Sequence, residues 1–159
     1  MTLIVEDGTG KADSQAYLSA MELTAYASAR GISIVGDVEV LILRASMYVD
    51  ALSFVGSKNT KDQAMQWPRL NVYMDGFAIL TTEIPKLLKD LQAEVSIAIG
   101  NGNDPLETVQ RAVKRTKVGP IEKEYADNAA PFVMNLRIKA LERKLTSSVG
   151  GSTFTVGRG

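Results

Sequence analysis

Between Ser53 and Thr82 the chain loses helical periodicity, and this interruption constrains the fold more than any other feature. Gly56, Asn59, Pro68, Asn71, Asp75 and Gly76 punctuate it. The segment holds the only tryptophan, Trp67, followed at once by Pro68 and Arg69. Pro68 fixes its own φ and pushes Trp67 toward extended backbone, which sets the indole at a chain corner. A stretch this long is more than a simple connector, so it is expected to be functional or to pack over the core. The indole favours packing, with Arg69 paired to an acid such as Asp50 or Asp62 and residues 63–66 forming a short helical turn. Trp67, Pro68 and Arg69 are accordingly candidate structural anchors, and an interface role for Trp67 is the alternative.

Helical patterns flank the interruption. Asp13 or Ser14 is expected to cap a first helix running to about Arg30, stopped by Gly31, with Leu18, Met21, Ala25 and Ala29 on its apolar face. A second starts near Asp37, where Val38, Leu41, Ile42, Ala45, Tyr48, Val49 and Leu52 form one stripe opposite Glu39, Arg44, Ser46 and Asp50. Pro85 opens a third at its first position. There Leu87, Leu88, Leu91, Val95, Ala98 and Ile99 face inward, Asp90 and Glu94 face solvent, and Gly100-Asn101-Gly102 stops the helix. A fourth opens at Pro131 and carries Val133, Met134, Leu136, Ile138, Leu141 and Leu145. Its polar side is basic, with Arg137, Lys139, Arg143 and Lys144 against Glu142, which suits the dipole at a helix C-terminus. The expected fold class is mainly α (α+β): about four helices in a small bundle with one β-hairpin. Residues 1–146 form a single domain, and the Gly/Ser-rich residues 147–159 form a flexible C-terminal tail.

Composition narrows the chemistry. Among 159 residues there is no Cys and no His, which removes disulfides, thiolate nucleophiles, Cys/His zinc sites and imidazole-based triads. An enzyme is not expected, and no catalytic, cofactor-binding or metal-ligating residue is assigned. Lys plus Arg equals 18 and Asp plus Glu equals 18, so the formal net charge is zero. Any affinity for nucleic acid must therefore come from a local patch. Near-zero charge also suits self-assembly. Met1 to Val5 is cut short by Glu6-Asp7-Gly8, so a signal peptide is not expected, and no apolar run approaches a membrane span.

Several short strings invite a functional reading. Gly8-Thr9-Gly10-Lys11 looks like part of a phosphate loop, but Val5 stands where the first glycine belongs and Ala12 where Ser or Thr belongs. It reads as a turn. Residues 107–125 read as a β-hairpin. With Gly119-Pro120 in a two-residue turn, Lys117 faces Glu122 and Arg115 faces Glu124, although a proline there also admits a wider loop. Arg111, Lys114, Arg115 and Lys117 are the DNA-proximal candidates, and the partner strand's acids largely neutralise them if that register holds. A base-stacking platform would need Tyr73, Phe77 or Tyr125 exposed beside Lys or Arg, and Tyr125, near Lys123 and Lys114, is the favoured candidate. In the tail, Phe154-Thr155-Val156 is a short β-prone run, so Phe154 and Val156 are candidates for docking to a partner by strand addition. An idle tail is the alternative.

Taken in order, Leu43-Arg44-Ala45, Tyr48-Val49-Asp50, Gln63, Trp67-Pro68-Arg69, Asp75-Gly76, Ile84-Pro85 and Val118-Gly119-Pro120-Ile121 carry a resemblance. From about Val5 to Leu145 the chain resembles a family of tailed-phage proteins similar to head–tail connectors (adaptor or head-completion proteins), whose members often bear the label DnaT-like ssDNA-binding. The connector resemblance implies a structural virion protein of the neck, made in the host bacterial cytoplasm. It implies a homo-oligomeric, commonly dodecameric ring under the portal protein. Such a ring extends the DNA channel, lets double-stranded DNA pass without sequence-specific binding, and docks the next neck or tail-terminator protein, with no membrane partner. The hairpin, residues 56–82 and the tail would be its interfaces. The label implies the alternative, a DnaT-like single-stranded DNA-binding protein of phage replication.

Overall fold

The computed structural model describes residues 3–106, 116–118, 121–123 and 135–146, the two three-residue pieces as backbone alone. Its first helix, α1 (Ala20–Ser28), begins later than expected. Ser19 Oγ accepts from the Glu22 N–H, and the Glu22 carboxylate accepts from the Ser19 N–H, a reciprocal capping box. Ser14 does not cap a helix: its hydroxyl donates to Glu6. Ala16 is instead bridged to Val5 in parallel, and the chain bends at Tyr17 and Leu18 before the helix. The apolar face shifts with the start, so Leu23 and Ala27 are buried while Met21 is 82% exposed. Gly31, at φ 65°, closes the end, its N–H donating to Ser28 O and that of Ile32 to Ala27 O.

Asp37 caps α2 (Val38–Asp50), its carboxylate accepting from the Glu39 and Val40 N–H groups. Leu41, Ile42, Ala45 and Val49 are buried as the stripe requires. Ser46, expected on the polar face, is buried too and accepts from Gln92 Nε2 at 2.6 Å. In α3 (Lys86–Gly100) Pro85 is the cap residue rather than the first helical one. Residues 91–97 of α3 are all buried because α1, α2 and α4 (Leu136–Thr146) pack around it. Glu94 is therefore not on a solvated face. Ile138, Leu141 and Leu145 attach α4 to the core, while Leu136, expected on that side, is 82% exposed.

The interruption is built from two antiparallel two-stranded pairs. β1 (Ser57–Lys58) pairs with β2 (Arg69–Leu70), and β3 (Tyr73–Met74) with β4 (Phe77–Ala78). Residues 64–66 form bends, and residues 63–66 make no helical turn. A third pair joins β5 (Thr116–Val118) to β6 (Ile121–Lys123). Among the described residues the α+β class with four helices thus holds, and two further small strand pairs accompany the expected hairpin.

Two apolar clusters make the core. The larger gathers Tyr17, Leu41, Val49, Phe54, Trp67, Leu88, Leu91 and the buried side chains of α4. The smaller joins Leu18, Leu23 and Ala27 to Ile42, Ala93 and Ile97.

Candidate nucleic-acid interface

The Trp67-Pro68-Arg69 string lies inside the molecule. Trp67 is fully buried, edge-on to Phe54 with ring centroids 6.0 Å apart, and its peptide bond to Pro68 is cis. Its backbone N–H donates to the Tyr17 hydroxyl, which in turn donates to Asp50 at 2.6 Å. Asp50 also accepts from the Gln66 N–H, so it does not pair with Arg69 as expected. The Arg69 guanidinium donates to the carbonyls of Phe54, Val55, Gly56 and Gln66 and to Gln66 Oε1. Burial lowers its pKa below the usual arginine value. Gln63 completes the lining, donating to Met65 O and Pro68 O and accepting from the Thr60 N–H. These side chains tie the irregular segment to itself and present nothing to a ligand.

The glycine turn near the N-terminus is closed to phosphate. The backbone N–H groups of Gly8, Gly10 and Lys11 all donate to the carboxylate of Glu6, which is 1% exposed. An anion would find those donors already taken by a buried anion of the chain. Lys11 donates to Val5 O and pairs with Asp7 at 2.9 Å. The Thr9 hydroxyl and Lys11 hold the Asp7 carboxyl well below the usual carboxylate range.

Exposed cationic chemistry gathers on α4. Lys139, Arg143 and Lys144 are exposed, and none has an ion-pair partner among the described residues. Helical spacing places Lys139 and Arg143 one turn apart, opposite the buried Ile138, Leu141 and Leu145. The two remaining charges of the helix are engaged. Arg137 pairs with the buried Glu94 and donates to the Tyr26 hydroxyl, and Glu142 accepts from the Tyr48 hydroxyl. Burial and then Glu142 push the Tyr48 pKa far above that of a free phenol. Both latches clamp α4 to the bundle and leave its outer face positive.

Exposed aromatic chemistry gathers on the β3–β4 hairpin. Tyr73 is 64% exposed and Phe77 76%, with Leu80 beyond them at 68%. Asp75 and Gly76, at φ 51° and 86°, form the two-residue left-handed turn that matches strand twist. Met74 and Ile79 rest against the larger core cluster, and the Ile79 N–H donates to Val72 O, so the hairpin is anchored at its base.

Of the other sequence candidates, Lys117 is in β5 with Glu122 as its Cα partner, the expected register. Arg111, Lys114, Arg115, Glu124, Tyr125, Phe154, Val156 and the whole of residues 147–159 lie outside the described residues, as do Gly119-Pro120 and Pro131 to Met134. Asp90 pairs with Lys86 and Glu94 with Arg137, and no group of three potential acidic metal ligands occurs among the described residues. No helix among them is long and apolar enough to cross a membrane. A shallow groove beside α1, lined by Ala20, Met21, Thr24, Ala25, Ser28 and Val38, offers no titratable group.

The molecule is thus a small α+β protein whose exposed chemistry is a cationic helix face and an aromatic hairpin. The chain belongs to the family described as "Putative DnaT-like ssDNA binding protein", whose model matches residues 1–159, the entire sequence. No curated protein and no solved structure matches it. The family match corrects the connector expectation. Its description concerns single-stranded DNA, which leaves the virion neck role, the portal and tail-terminator partners, the dodecameric ring and the passage of double-stranded DNA without support. Of the strings that carried the resemblance, Trp67-Pro68-Arg69 and Gln63 are internal to the fold, while Asp75-Gly76 is exposed.

Proposed function

We propose that this protein binds single-stranded DNA and performs no catalysis of its own. The observation that carries the reading is the family match across all of the sequence. Lys139, Arg143 and Lys144 on the outer face of α4 supply the phosphate contacts. They are the cluster of exposed, unpaired cations on a rigid element among the described residues. Because the net charge is zero, nothing long-range reinforces this patch, and binding depends on a few local contacts. Affinity is therefore modest and falls only gradually with salt.

The test is competition between a fluorescent thirty-nucleotide oligothymidylate and unlabelled single-stranded or duplex DNA at low salt. Preferential displacement by single strands supports the reading, and equal displacement by duplex opposes it. A Lys139→Gln/Arg143→Gln/Lys144→Gln variant is expected to keep its melting temperature and to lose about tenfold or more in affinity at moderate salt. Unchanged affinity in that variant would move the phosphate contacts elsewhere.

A further inference from the structure

Resting on the single-stranded DNA reading, we propose that the β3–β4 hairpin is the base-contacting element, with Tyr73 and Phe77 each stacking on a nucleobase. The register makes Tyr73 the partner of Ala78 and Met74 the partner of Phe77. Side chains alternate along a strand, so the two aromatic residues belong to opposite faces of the ribbon. Both are largely exposed, although aromatics are costly to leave in water, and the other large aromatics of this segment do not share their fate. Phe54 and Trp67 are buried.

Two features favour bases over a protein partner. A protein-docking surface needs a contiguous apolar patch, whereas rings on opposite faces of a ribbon two residues long meet separate flat partners. The ribbon is also preorganised. The left-handed Asp75-Gly76 turn and the core contacts of Met74 and Ile79 fix its position before a ligand arrives, which lowers the ordering cost of stacking. Asp75 at the turn repels phosphate, so the hairpin contacts bases and not the sugar–phosphate backbone, which is left to the cationic face of α4.

The experiment compares wild type, Tyr73→Ala, Phe77→Ala and Phe77→Trp for binding to oligothymidylate and to an abasic oligonucleotide of equal length. Each alanine variant is expected to lose roughly five- to a hundredfold in affinity for oligothymidylate and little for the abasic strand. Phe77→Trp is expected to restore or strengthen binding to the strand with bases. Equal losses on both strands would overturn stacking, because the effect would then not involve bases. Unchanged affinity in both alanine variants, with wild type still binding, would overturn the hairpin assignment and leave the DNA reading intact. Failure of wild type to bind either strand would remove the DNA reading and this inference together.

Discussion

Tyr17, Asp50 and Trp67 form a hydrogen-bonded seam within the core, and it is here that single residues matter most. Trp67→Ala empties a fully buried site and is predicted to cost about 3–5 kcal/mol, read as a loss of denaturant midpoint at constant slope. Gly8→Ala should also be severe: at φ 102° a Cβ would stand 1.9 Å from the Thr82 carbonyl oxygen. The tyrosines set an alkaline limit. Burial, then Asp50, Glu94 and Glu142 respectively, raise the pKa values of Tyr17, Tyr26 and Tyr48 above the ordinary phenol value. The folded state holds these protons where the unfolded chain has released them, so stability is intact below pH of about 10 and falls above it. Melting temperature should therefore be flat from neutral pH to about 9 and drop beyond 10, less steeply in Tyr17→Phe. The burial of Trp67 was legible from its corner position, but the partner of Arg69 was not. Charge alone suggested Asp50 or Asp62, and the sequence holds no sign that the Tyr17 hydroxyl and the Gln66 N–H occupy the Asp50 carboxylate or that Arg69 turns to backbone carbonyls.

Among the elements, α1 and α4 show how position along a chain can mislead. Both Asp13/Ser14 and Ser19 offer a cap, but only Ser19 has Glu22 three residues on, and the reciprocal bonds select it. Ser19→Ala should cost about 1 kcal/mol. The outward assignment of Glu94 followed from the period of α3 taken alone. Helices on several sides of α3 bury that face, and Arg137 and Tyr26 arrive from elements far away in sequence to satisfy the acid. Glu94→Gln should loosen α4 by about 1–2 kcal/mol, seen as faster amide exchange across residues 136–146. On the hairpin, Asp75→Asn keeps a residue suited to the left-handed turn while removing a charge from beside the proposed stacking site. It should tighten oligothymidylate binding about two- to fivefold, and unchanged affinity would set the turn apart from the DNA path.

Across the whole molecule the formal charge of zero hides an uneven distribution. Acids are spent internally, Glu6 on the glycine turn, Asp50 on Tyr17 and Glu94 on Arg137, while three cations on α4 stay free of ion pairs among the described residues. Composition could not reveal that asymmetry, because it arises from which charges find partners once the helices pack. The basic side of α4 was visible in the sequence, yet its freedom from partners was not. The exposed pair Tyr73 and Phe77 was likewise legible as a condition for DNA binding and became a candidate surface only when their exposure was known.

The central claim is tested most directly by titrating labelled oligothymidylate with the wild-type protein across a range of salt concentrations. Three phosphate contacts predict saturable binding whose logarithmic affinity falls against log salt with a slope of about −2. Absence of binding at micromolar protein and low salt, or a slope near zero, would contradict it.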